Sequence, residues 1–76
     1  MRKKIYIVYE ESHGNVSYWT KEKKAQEEVK KIIEGRWSKD EIQQQCKEED
    51  VPMERYWEAF DWEVYYAEVT LNKSWV

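Results

Sequence analysis

Met53-Glu-Arg-Tyr-Trp-Glu-Ala-Phe-Asp-Trp-Glu-Val-Tyr-Tyr-Ala-Glu-Val-Thr-Leu71 changes its period in mid-course, and that change decides the fold. Met53, Tyr56, Trp57 and Phe60 fall at i, i+3, i+4 and i+7, which is one face of a helix. From Trp62 onward the pattern alternates, with Tyr65, Ala67, Val69 and Leu71 on one side and Trp62, Val64 and Tyr66 on the other, as in a strand. Glu54, Glu58, Asp61, Glu63 and Glu68 are threaded between the aromatics. The stretch therefore anchors a core while leaving acidic and aromatic surface for a partner.

The strand at its end needs other strands to pair with, and the start of the chain supplies them. Lys3 to Glu10 alternates with Ile5, Ile7 and Tyr9 on one side and Tyr6 and Val8 on the other. Both sides are apolar, so this strand is expected at the centre of its sheet. Glu11 to Asn15 reads as a turn, with Gly14 and Asn15 able to take positive φ, and Val16 to Trp19 returns as the second strand of a hairpin. Between the hairpin and the last strand the period is helical. Thr20 is the expected N-cap of a helix over about Lys21 to Glu34, with Ala25, Val29, Ile32 and Ile33 as its buried stripe and Gly35 at its C′ position. Ser38-Lys39-Asp40-Glu41 is a capping box that opens a second, more polar helix with a thin apolar face of Ile42 and Cys46. Pro52 is tolerated in a first helical turn, so a short third helix is expected over about Val51 to Phe60, either joined to the second or separated from it.

This order predicts one α+β domain over residues 1–76, written ββα(α)αβ: a three-stranded, mostly antiparallel sheet with helices on one face. Helices from so short a chain cover one face only. The uncovered face is expected to hold Tyr6 and Val8 with part of Trp62, Val64 and Tyr66, a patch suited to an interface, so a homodimer through the sheet or its edge is expected.

Composition narrows the function. Twelve of the 76 residues are aromatic, which supplies large buried areas and argues against disorder despite 38% charged residues. Cys46 is the single cysteine, so an internal disulfide scaffold is excluded, and its spacing from Ile42 suits a half-buried structural thiol. The basic start Met1-Arg2-Lys3-Lys4 precedes an apolar run, Ile5 to Tyr9, too short for a signal-peptide core or a membrane span. A cytoplasmic protein with no membrane partner is the expectation. No nucleophile motif, phosphate-cradling loop or dinucleotide fingerprint is present. His13, the sole histidine, sits in a turn and reads as solvated; with Cys46 distant it forms no metal set. The expectation is a protein that is not an enzyme and uses no cofactor.

The net charge of −3 is unevenly spread. Residues 1–39 hold ten Lys/Arg against six Asp/Glu, a balance of +4, and residues 40–76 hold three against ten, a balance of −7. Carboxylates spaced along a rigid element imitate the phosphate row that a DNA-binding protein expects. Mutual repulsion makes such a row costly to folding. The ordinary alternative is a solvated acidic face. Direct nucleic-acid binding is disfavoured, because glutamates interrupt the lysines of the first helix and the whole chain is acidic.

Lys4-Ile5-Tyr6-Ile7-Val8-Tyr9-Glu10, the Gly14-Asn15 turn, the step Thr20-Lys21-Glu22-Lys23-Lys24-Ala25 and the closing Val64-Tyr65-Tyr66-Ala67-Glu68-Val69-Thr70-Leu71 resemble the small hairpin–helix–strand accessory proteins of bacteriophages. The resemblance covers the two ends of the chain and carries over no catalytic residues. It implies an early phage product that binds and disables host machinery or defence. Some such proteins are acidic DNA mimics that occupy nucleoid-associated proteins such as HU; others bind RNA polymerase or nucleases. The leading expectation is thus a host-takeover inhibitor that binds a DNA-binding or nucleic-acid-processing host protein in the host cytoplasm. Its charged contacts are Glu48, Glu49, Asp50, Glu54, Glu58, Asp61 and Glu63, with Trp57, Trp62 and Tyr66 as aromatic anchors. The alternatives are a defence-blocking (anti-CRISPR-like) or polymerase-binding adaptor that uses an aromatic and apolar sheet surface, and a nucleic-acid-binding module built on the first helix and the basic N-terminus.

Overall fold

In the computed structural model, residues 3–71 are described; Met1, Arg2 and the tail 72–76 with Trp75 lie outside them. The element order is β1 (Lys3–Glu10), β2 (Asn15–Trp19), α1 (Glu22–Arg36), α2 (Lys39–Glu49), a 3₁₀ segment (Met53–Phe60) and β3 (Val64–Leu71). The sheet is fully antiparallel in the order β2-β1-β3. β1 is central, as its two apolar sides predict: Ile7 lies opposite Tyr18 of β2 and Ala67 of β3, and Tyr9 lies opposite Val16 and Tyr65. Gly14 takes φ +64° in the hairpin turn, and Asn15 already belongs to β2.

The helices pack on one face of the sheet, and it is the face of Tyr6, Val8, Val64 and Tyr66. These four join Ala25, Val29 and Ile33 of α1, Ile42 and Cys46 of α2, and Ala59 and Phe60 in a single core. This reverses the expected assignment: the open face carries Ile5, Ile7, Tyr9, Val16, Tyr18, Tyr65, Ala67 and Val69 instead. Large apolar groups on both sides of β1 leave the choice to the third dimension. The side that ends in Glu10 turns inward because Arg36 of α1 waits there to receive it.

Helix ends follow the sequence in one case and depart from it in another. Ser38 caps α2 as a full capping box: its hydroxyl accepts from the Glu41 amide at 3.2 Å, and its own amide donates to the Glu41 carboxylate at 2.8 Å. In α1, Lys21 rather than Thr20 is the N-cap and makes no side-chain cap bond, while Gly35 lies inside the helix, which runs on to Arg36. The Gly35 site is open and its backbone is ordinary, so the extra residues serve to carry Arg36 to its partners.

Pro52 does separate two helical pieces: it caps the 3₁₀ segment after Asp50 closes α2 in the left-handed conformation (φ 55°). The segment breaks at Arg55 (φ −123°, ψ 39°), so the continuous α-helical face expected there is not formed. Phe60 is buried at 1% exposure, with Trp37 at 4.5 Å between ring centroids. Tyr56 and Trp57 are half-buried, and Met53, expected in the core, is exposed in a cleft of about 350 Å³ between the helices. Trp62 precedes β3 rather than belonging to it.

Phe60→Ala should cost about 3–5 kcal/mol, because the cavity would open beneath Trp37 where little can collapse into it. Ser38→Ala should cost about 1 kcal/mol. Urea unfolding measures both, and a Phe60→Ala loss no larger than that of Ser38→Ala would contradict this core.

Candidate partner-binding site

The six acids from Glu48 to Asp61 named above are exposed and gathered where α2 meets the 3₁₀ segment. Glu48, Glu49 and Asp50 finish α2, and the chain then turns back through Val51, whose amide donates to the Cys46 carbonyl at 2.9 Å. Glu54, Glu58 and Asp61 do not share the α-helical face their spacing implies. With three residues per turn, Glu58 and Asp61 superimpose and Glu54 sits a third of a turn aside, beyond the break at Arg55. Arg55 lies 3.7 Å from Glu58 on the surface. Among the described residues, Glu48, Glu49, Asp50, Glu54 and Asp61 have no cation within ion-pair distance.

Glu58 and Asp61 meet the aromatics at the outer edge of β3. A shallow pocket of about 250 Å³ is lined there by Trp57, Glu58, Asp61, Val64, Tyr65 and Tyr66. The Lys30 ammonium already sits 4.6 Å from the Trp57 ring centroid, so this ring holds a cation within the chain itself. Tyr66 is half-buried. Its hydroxyl accepts from Gln26 and donates to Glu22, both at 2.9 Å, and burial, more than the Glu22 carboxylate, pushes its acidity down. Its hydroxyl is thus already engaged within the chain. Trp62 is 56% exposed, with its indole N–H donating to the Ala59 carbonyl at 3.1 Å and its ring near Trp37.

Glu63 departs from the acidic surface. It is 5% exposed, and Arg36 Nη1 lies 2.8 Å from its Oε2 and 3.0 Å from Oε2 of Glu10, itself 6% exposed. The Ser12 amide donates to both Glu63 oxygens at 3.2 and 3.0 Å, and the Ser12 hydroxyl donates to Oε2. His13, read as a solvated turn residue, is half-exposed with Nδ1 at 3.7 and 3.9 Å from the same two carboxylates. The Ser12 hydroxyl first, then Arg36, hold Glu63 down at about 2 against an ordinary 4.5. The chain positions every member for this contact: Glu10 ends β1, Ser12 and His13 lie in the turn, Arg36 ends α1 and Glu63 leads into β3. Sequence reading missed Arg36 and Glu10 as partners. The available signal was Glu10 continuing the Tyr6–Val8 side of β1, a carboxylate on an inward face that needs a counter-charge. With its oxygens taken by Arg36 and Ser12, Glu63 locks the fold and offers nothing to a partner.

Among the described residues, no group of three or more His, Cys, Asp or Glu is placed to hold a metal ion, and no helix is long and apolar enough to cross a membrane. No protein family, curated protein or solved structure matches the chain.

The depressed Glu63 value has a sign that can be tested. A carboxylate whose folded value lies below its unfolded value contributes stability that is present above pH 4.5 and is lost as the pH falls towards 2. Thermal unfolding across that window should show the decline. Glu63→Gln should be less stable than the natural chain at neutral pH and should flatten the decline; an unchanged slope would contradict the assignment.

Proposed function

We propose that this chain is a non-enzymatic inhibitor of the phage accessory type that binds a basic host protein, acting as a homodimer in the host cytoplasm. The observation that carries the reading is the pocket at the β3 edge, where Glu58 and Asp61 flank the rings of Trp57, Tyr65 and Tyr66. Carboxylates beside aromatic rings suit one class of group, an arginine or lysine side chain, held by charge and by cation–π contact together. The exposed carboxylates of Glu48, Glu49, Asp50 and Glu54 extend the acidic field beyond the pocket and steer a basic surface towards it. A DNA-binding protein such as HU, whose basic groups normally meet phosphates, presents the matching chemistry. The inhibitor competes with DNA for those groups and needs no reaction of its own.

A second reading is favoured by the open sheet face: an adaptor, defence-blocking or polymerase-binding, that buries Ile5, Ile7 and Tyr18 against its target. The two differ in their response to salt. Titration of the chain against purified HU should show affinity that falls as salt rises, and Glu58→Lys and Asp61→Lys should each weaken it about tenfold or more. Affinity indifferent both to salt and to these reversals would sink the acidic reading and favour the sheet face.

A further inference from the structure

We infer that the open face of the sheet is covered by a second copy of this chain, the two sheets packing face to face about a two-fold axis with their β1 strands antiparallel. The inference rests on the homodimer of the preceding reading and names its surface and orientation.

The first ground is the face itself. Ile5, Ile7 and Tyr9 of β1, Val16 and Tyr18 of β2, and Tyr65, Ala67 and Val69 of β3 all project to the side away from the helices. Tyr18 is 67% exposed and Val16 47%, while Tyr9 and Tyr65 stack on each other at 5.0 Å between centroids. Eight neighbouring uncharged side chains on one sheet surface form the kind of patch that monomeric proteins seldom leave in water. A chain of 76 residues buries a smaller share of its surface than a larger domain does, and a second copy is one support open to a chain with a single cysteine.

The second ground is charge, and it selects the occupant. Among the described residues, the open face bears one charge at each end and none between. Lys3 begins β1 on this face, on the same side as Ile5. Glu11 follows the far end of β1, and its carboxylate accepts from the hydroxyl of Tyr65, a residue of this face, at 3.0 Å. The face is therefore positive at one end and negative at the other. A partner that matches it must be apolar in the middle with the opposite polarity along its length. The same face turned end for end meets that description, setting Lys3 of each copy over Glu11 of the other. Two sheets packed in this way leave about 10 Å between them for the interdigitating side chains. The helices lie outside, and the β3-edge pockets stay at the rim of the sandwich. Lys4, by contrast, pairs with Glu68 on the helix side, at 3.7 Å, and takes no part.

Sedimentation velocity of the full chain over a range of concentrations tests this. The expected mass is twice the 9.4 kDa of one chain. Tyr18→Glu, at an exposed site where folding is not at stake, should yield monomers with an unchanged circular dichroism spectrum. Lys3→Glu and Glu11→Lys should each weaken association several-fold, and the doubly reversed chain should recover it. A monomeric natural chain overturns the inference. So does a dimer that survives Tyr18→Glu, or one in which the double reversal rescues nothing. HU titration of the monomeric variant reports separately on the pocket, so a failed dimer and a failed acidic site are told apart.

Discussion

One arginine holds the architecture in register. Arg36 ends α1 and places a single nitrogen within 3.0 Å of two buried carboxylates, Glu10 at the end of β1 and Glu63 before β3. Two such carboxylates side by side repel, and each is costly to remove from water. Arg36 offsets both costs, Ser12 adds two donors from the hairpin turn, and the position at a helix C-terminus suits a cation. Three stretches distant in sequence, the end of β1 with its turn, the end of α1 and the residue before β3, are thereby tied at one corner of the sheet. Arg36 also lies over the Trp37 ring at 4.6 Å, and Trp37 packs on Phe60, so the polar corner continues directly into the apolar core.

This corner also explains what the sequence could and could not tell. Local patterns were sufficient for the element order, for the central place of β1 and for the capping box at Ser38, because each depends on residues a few positions apart. The choice of buried sheet face was not legible. Ile5-Tyr6-Ile7-Val8-Tyr9 is apolar on both sides, and the meeting of Glu10 with a residue 26 positions later marks the inward one. The same contact extends α1 past Gly35, which by propensity alone should have ended it. Within the candidate site, the sequence lists the acids and aromatics but not which of them meet. Their grouping depended on backbone geometry that the break at Arg55 altered, separating Glu54 from Glu58 and Asp61. Glu63 looked like its acidic neighbours because its counter-charge is 27 residues away.

The outcome is a molecule with three surfaces of different character. The helix side of the sheet is consumed by the core. Among the described residues, the opposite side is uncharged between Lys3 and Glu11. The edge of β3 joins two carboxylates to aromatic rings. In the proposed division of labour the open face joins copies and the edge pocket, which shares Tyr65 with that face, meets the basic partner. That separation lets association and recognition respond to different conditions, since apolar burial resists salt and exposed carboxylates do not.

All of this depends on Arg36 being the counter-charge that makes the inward face buriable. A thermodynamic cycle tests that dependence most directly: Arg36→Met introduced into the natural chain and into a Glu10→Gln/Glu63→Gln background, with stability read by urea unfolding. The account predicts a large loss in the natural chain and a much smaller one when the carboxylates are already neutral amides. Equal losses in both backgrounds would mean that Arg36 acts by packing alone, and the ionic origin of the sheet's sidedness would be contradicted.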